Sequence, residues 1–256
     1  MTSSHTFQRI GPWLGLAVIG IGLPFDAFGG MATQVVVSVA AWAMALAVIE
    51  TTAGEQRRRL VACIAIATAG ELFLSLVWGL YDYRFLNVPL FVPPGHMLLM
   101  AVGIAVAACR LPRLLVPCTV LAAVAIAAHA AWTGRGTLDV ALVALLLLCI
   151  RFAPSRGEAV LYAVMFWLAL LLEFYGTALG NWAWQPVEGW FGLTSSNPPL
   201  AAGAFYSALD MLSLWAARLA LGSGRLPAFA PILRTWRPVR ARRRASAHSP
   251  AVRRAR

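Results

Sequence analysis

Residues 173–199 read EFYGTALGNWAWQPVEGWFGLTSSNPP, and a shorter copy at 71–94 reads ELFLSLVWGLYDYRFLNVPLFVPP. Each opens with a glutamate inside an apolar run, passes through a glycine followed by two aromatics at alternate positions, and closes on Pro-Pro. The copies align at Gly79 with Gly180, Tyr81 with Trp182, Tyr83 with Trp184, and Pro93-Pro94 with Pro198-Pro199. The glutamates are out of step by one, since Glu71 stands eight residues before its glycine and Glu173 seven. A charged residue at the centre of a membrane helix costs about 2.5–3.5 kcal/mol on insertion scales, so each glutamate marks a place where the chain has use for it.

Outward from these stretches, apolar runs near the roughly 20 residues needed to cross a bilayer recur along the chain. They predict spans at about 12–29, 31–50, 60–80, 95–109, 114–132, 138–152, 159–179 and 199–221. The fold class is therefore all-α, a polytopic membrane helix bundle of about eight transmembrane helices. Composition agrees, with 60% hydrophobic and 12% charged residues, where a soluble domain carries about 25% charge. No cleavable signal peptide is expected, because the first apolar segment holds Pro24 and Asp26 and has no A-x-A site.

All 21 basic residues are arginine, and their placement tests the span count. Arg57 to Arg59, Arg110 with Arg113, Arg151 with Arg156, and ten arginines of the tail fall in alternate loops, while the other loops hold only Arg84 and Arg135. Cytoplasmic loops are enriched in Lys and Arg, which places both termini in the cytoplasm of a cell (inner) membrane protein and both glutamate–aromatic stretches on the exterior side. The copies are four spans apart. Halves 12–109 and 114–221 of a transmembrane domain, residues 1–221, would thus form a parallel 4+4 repeat. Residues 222–256, rich in Arg, Pro, Ala and Ser, read as a disordered tail meeting anionic lipid headgroups. Nucleic acid is not an expected partner, because no aromatics interleave the basic run apart from Trp236. Cys63, Cys109, Cys118 and Cys149 lack paired spacing, so no metal site, disulfide framework or cofactor is expected.

Three acids inside spans are candidate catalytic groups: Glu71, Glu173 and Asp210. Glu173 shares a helix face with Gly176, Thr177 and Gly180, Asp210 with Tyr206, Ser207 and Ser213, and Glu71 with Thr68 and Ser75. Each acid thus turns towards small or polar residues, a pattern that also suits helix packing alone. Alternation turns both rings of Tyr81 and Tyr83, and both of Trp182 and Trp184, to one side of an extended segment. These four are candidate substrate-binding residues, although an interfacial aromatic belt uses the same residue types. His96, Asn197 and Tyr206 complete the candidate binding set. Asp26 and His129 are weaker candidates, and Glu50 is placed where solvent explains it.

The pattern Glu173-x-x-Gly176-Thr177-x-x-Gly180-x-Trp182-x-Trp184 resembles a motif of the membrane carotenoid hydratases of the bisanhydrobacterioruberin hydratase type. In that family an intramembrane Glu precedes a Thr/Gly segment and a Gly-x-Tyr-x-Tyr element. Here Trp replaces both tyrosines, the spacing from Glu to the aromatic pair is shorter, and the Pro-Phe-Gly before the aromatics is absent. The resemblance implies a related fold and an isoprenoid-like substrate.

Three functions fit these residues. An enzyme acting on a lipid-soluble isoprenoid or polyene would use a buried acid to protonate an alkene and aromatic faces to steady the cation, giving hydration or cyclisation. A transporter or permease would bind a cation or relay protons between two repeats. A scaffold would use the acids only to fix helix packing. The first predicts a pocket reaching lipid with acids and aromatics converging on it, the second a watery path, and the third no cavity.

Overall fold

Local chemistry sets where the central helices begin and end. Ser155 caps a helix by accepting the Glu158 N–H at 3.2 Å, the Ser-x-x-Glu arrangement of a capping box. The same helix stops at Gly180, whose φ of +77° is left-handed, and the Asn181 N–H turns back to the Gly176 carbonyl at 3.0 Å. Gly79, with φ +72°, makes the equivalent turn in the first copy. Pro93 and Pro94 lie in the first turn of the next helix, where a missing N–H is harmless.

The computed structural model describes residues 2–220. In chain order the elements are α1 (Thr2–Phe28), α2 (Met31–Thr51), α3 (Gly54–Glu71), a π-helical segment (Leu72–Val77), β1 (Tyr81–Tyr83), α4 (Val92–Ala107), α5 (Leu115–Thr133), α6 (Leu138–Arg151), α7 (Arg156–Leu179), β2 (Trp182–Trp184) and α8 (Gly203–Leu219). The chain is thus all-helical apart from one small sheet among the described residues. Five helical segments are long and apolar enough to cross a membrane: Thr6–Phe28, Met31–Thr51, Gly54–Val77, Leu115–Thr133 and Arg156–Leu179. The other three helices, α4, α6 and α8, have 16, 14 and 17 residues. Outward faces are apolar, as lipid contact requires; Val35, Val39, Leu121 and Leu171 are all exposed. The Arg-rich tail expected at 222–256 lies outside the described residues.

Helices α3, α4, α7 and α8 close a ring, in which α3 and α7 each pack on both α4 and α8. The α1–α2 pair packs against α4, and the α5–α6 pair against α7 and α8. Two expected boundaries move. The eighth helix starts at Gly203 rather than 199, after a turn at 200–202. The third starts at Gly54 and, rather than running on as α-helix to residue 80, winds as π-helix from Leu72.

That π segment explains the one-residue mismatch between the two copies. Its Trp78 N–H reaches back five residues to the Phe73 carbonyl at 2.8 Å, and the closing Leu80 N–H reaches the Leu74 carbonyl at 2.9 Å. The closure from Leu80 spans six residues, where the closure from Asn181 in α7 spans five. A π-bulge accommodates one extra residue in a helix, and here it absorbs the one extra residue that separates Glu71 from Gly79 relative to Glu173 and Gly180.

Beyond the two glycines, β1 and β2 pair antiparallel, with Tyr81 opposite Trp184 and Tyr83 opposite Trp182. The ladder is extended by Arg84 N–H to the Asn181 carbonyl (3.0 Å) and Gln185 N–H to the Leu80 carbonyl (2.9 Å). Alternation turns the four rings to one buried face and leaves Asp82 and Ala183 exposed. The sequence predicts that the rings of each pair share a side; the pairing of the two segments is a finding of the structure.

Candidate functional site

The rings beneath the strand pair close on the two glutamates. Oε2 of Glu71 accepts the Tyr81 hydroxyl at 2.8 Å and the Tyr83 hydroxyl at 2.7 Å. Its Oε1 is 3.2 Å from Nε2 of His96. The other imidazole nitrogen, Nδ1, is 2.9 Å from the Val92 carbonyl. A carbonyl only accepts, so Nδ1 carries its proton and the remaining exchangeable proton lies between Nε2 and Glu71. The pair is an imidazolium facing a carboxylate, or an imidazole accepting from a carboxylic acid.

Glu173 is held by the second copy. Its Oε2 accepts the indole N–H of Trp182 at 2.8 Å and of Trp184 at 3.0 Å, and its Oε1 faces the Tyr206 hydroxyl at 3.4 Å. Gly176, one turn beyond Glu173, makes room for this: a Cβ there would meet the Trp182 ring at 2.0 Å. The two clusters interlock. Tyr206 stacks on His96 with ring centroids 4.8 Å apart and 8° between planes, while Tyr81 packs on Trp184 at 4.7 Å and Tyr83 on Trp182 at 6.1 Å.

Both clusters face one cavity of about 240 Å³. Glu71, Glu173, His96, Tyr81, Tyr83, Trp182, Trp184 and Tyr206 form its polar side. The rest of the wall is apolar and includes Val18 and Gly22 of α1, Val37 and Ala41 of α2, Ile66 of α3 and Leu209 of α8. Phe73 and Leu212 line it while being 42% and 43% exposed, so the hollow extends to the outer surface of the bundle.

The structure places the remaining candidates elsewhere. Asn197 is exposed and supports β2 from outside, its Oδ1 accepting the Trp184 backbone N–H at 3.0 Å. Asp210 is fully buried in α8 but is absent from the cavity wall, which α8 supplies through Phe205, Tyr206, Ala208, Leu209 and Leu212. Asp26 is a buried anchor: it accepts Gln34 Nε2 at 3.1 Å and Asn181 Nδ2 at 2.8 Å, tying α1 to α2 and to the foot of β2. His129 and Glu50 are exposed, on α5 and α2.

Two features escape the sequence reading. Gly176 is read there as a surface for helix approach, whereas an indole occupies it. Glu188, which no sequence argument singles out, organises the loop between β2 and α8. Its carboxylate accepts the backbone N–H groups of Trp190 (2.8 Å), Phe191 (2.6 Å) and Leu193 (3.0 Å), and the indole of Trp78 (2.7 Å). Trp78 stacks on Trp190 at 5.2 Å, and Phe73 meets Trp190 edge-on at 5.6 Å. Burial works against the ionised form of Glu188, but the Leu193 N–H, the Trp78 indole and the other two backbone donors outweigh it and hold the carboxyl down at about 2. The signal was present in sequence as a glutamate followed closely by Gly-Trp-Phe-Gly, a turn-forming string.

Compared with known proteins, the chain matches no family model, no curated protein and no solved structure.

Proposed function

We propose that this chain is a multi-pass protein of the cell membrane that transfers a proton to a lipid-soluble molecule held in the hollow between its glutamates. All eight helices then serve as spans, in two same-facing halves with both termini cytoplasmic. The alternating arginine loops support that orientation. The strand register supports the halves, because Tyr81–Trp184 and Tyr83–Trp182 exchange into one another when the aligned copies are swapped.

The proton between Glu71 and His96 is the one poised to move, since His96 has its second nitrogen committed to the Val92 carbonyl. Added to one carbon of an alkene, it forms a C–H bond from the π electrons and leaves positive charge on the neighbouring carbon. Glu173 and the surrounding ring faces offset that charge in a site whose wall is otherwise apolar. A water molecule then bonds to the cationic carbon, and the proton it sheds returns to the Glu71–His96 pair; the net reaction is hydration. Capture by a second alkene of the same molecule, followed by proton loss, gives a ring instead. The apolar wall suits the hydrocarbon of an isoprenoid or polyene.

The observation that carries this reading is the convergence of two buried carboxyls and an imidazole on one apolar hollow. Mass spectrometry of extracted lipids, from cells making the native chain and cells making Glu173→Gln, tests it. The expected result is an isoprenoid product present only with the native chain. Identical isoprenoid and lipid profiles would overturn the proposal.

A second reading, a permease for a small molecule, draws on the matched halves: each contributes one glutamate and one aromatic pair to the same hollow, as expected at a repeat interface. Accumulation of a labelled compound in sealed vesicles carrying the chain, with unchanged chemical identity, would favour it. The hollow itself counts against a pure scaffold, in which the acids would meet only packed side chains.

A further inference from the structure

At the end of the bundle away from the strands, Arg59 near the start of α3 grips Glu158 near the start of α7. Its Nη1 and Nη2 lie 3.2 and 3.0 Å from the two carboxylate oxygens, a bidentate pair. The same Nη2 donates to the backbone carbonyl of Asp210 at 3.3 Å. The Asp210 side chain is different. It is wholly buried, and among the described residues none donates a hydrogen bond to either of its oxygens. The guanidinium Nε of Arg59 and the hydroxyl of Tyr162 are likewise enclosed, with no hydrogen-bond partner among the described residues.

Charge sharpens the point. Arg59 and Glu158 neutralise each other, which leaves the Asp210 carboxyl with no counter-charge of its own. The titratable groups near enough to act on its charge are Arg59 and Cys63 of α3, His96 of α4, Cys149 of α6, and Glu158 and Tyr162 of α7. Among these, the only full cation besides a protonated His96 is the Arg59 already committed to Glu158. An enclosed carboxylate without donor or counter-ion costs several kcal/mol, and taking up a proton is how such groups usually resolve it. Ser213 and Ser207, flanking Asp210 on its own helix face, direct their hydroxyls to the Leu209 and Tyr162 carbonyls and so do not stabilise the anion.

We propose that Asp210 is a second proton-binding site, distinct from the glutamate hollow and bounded, at the end of the bundle away from the strands, by the Arg59–Glu158 pair. Its ligand is a single exchangeable proton. Arg59, held by Glu158, is the group whose release would displace that proton by turning its guanidinium to Asp210.

Infrared spectroscopy of the full chain in lipid nanodiscs, with aspartate labelled by carbon-13 at its carboxyl group, tests this; only four aspartates then contribute. The expected result is a protonated-carboxyl band at neutral pH that shifts in heavy water, is lost in Asp210→Asn, and persists in Glu173→Gln. Should Asp210→Asn fail to fold, Glu158→Gln gives the same answer: with Arg59 freed for Asp210, the band weakens by about twofold or more. A native protein with no protonated aspartate at any pH where it stays folded overturns the proposal, as does a band that both variants leave unchanged. This outcome is separate from the lipid assay, which reads the glutamate hollow alone.

Discussion

Tyr81 and Trp184 face each other across the strand pair with ring centroids 4.7 Å apart, yet their polar atoms serve different acids. The tyrosine hydroxyl donates to Glu71 at 2.8 Å and the indole N–H to Glu173 at 3.0 Å. The two carboxyls therefore share no hydrogen bond but are linked through packed rings, and a shift of either strand is felt by both.

The two tyrosines on Glu71 are expected to behave cooperatively. Tyr81→Phe and Tyr83→Phe each remove one hydrogen bond to a carboxyl oxygen, worth about 1.5–3 kcal/mol for a charged acceptor. Both donate to the same Oε2, so the double variant leaves that buried oxygen bare and should cost more than the sum of the two. Reversible unfolding in mixed micelles measures this; strict additivity would mean that the hydroxyls are not bonding one atom.

Gly176→Ala should dislodge the Trp182 indole, because the new methyl would lie 2.0–2.5 Å from three ring atoms. Overpacking of this kind costs about 1–3 kcal/mol. Adding Trp182→Phe shortens the ring and should restore stability, while the hydrogen bond to Glu173 stays lost. Unfolding measurements and the lipid assay together read the two effects: stability recovers in the double variant and product formation does not.

Removing one residue from the π-helical segment, for example Leu76, which is 58% exposed, should convert it to α-helix. Glu71 then rotates by about 100° relative to the residues that follow and swings away from Tyr81, Tyr83 and His96. The bundle should still insert, but product formation should fall to the level of Glu71→Gln. Full activity in the deletion variant would show that the π turn does not set the position of Glu71.

The loop held by Glu188 should loosen in acid. Its folded-state carboxyl titrates at about 2, below the value of about 4.3 for an unperturbed Glu. The stabilisation is therefore complete above about pH 4.3 and is lost as pH falls from there towards 2. Quenching of tryptophan fluorescence by a water-soluble quencher should rise over that interval as Trp78 and Trp190 separate. In Glu188→Gln the quenching should be high throughout and flat with pH.

Much of this architecture is legible in the sequence. Bilayer-length apolar runs mark five of the helices because lipid leaves a spanning backbone little choice. The acids and alternating rings of 71–83 and 173–184 are close in sequence, so helical and extended periodicities are enough to bring them together. The pairing of β1 with β2 was not legible, since three residues carry no signal for a partner in the other half of the chain. Asp210 is buried in α8 together with Tyr206, Ser207 and Ser213, but which way that face of α8 turns is set by packing on α3, α6 and α7. The Arg59–Glu158 pair joins residues 99 positions apart and has no local signature at all. The π segment lay in view as the one-residue slip between copies, which acquires meaning only once both glycines are seen to end their helices alike.

The donors around each acid have one further consequence, for biosynthesis. Glu71 draws on Tyr81, Tyr83 and His96, and Glu173 on Trp182, Trp184 and Tyr206, so each carboxyl is served by residues translated shortly after it. The ribosome thus delivers each acid together with the groups that make it tolerable in lipid. Neither has to wait for the distant half of the chain, and the strand ladder is left as the last clasp to fasten.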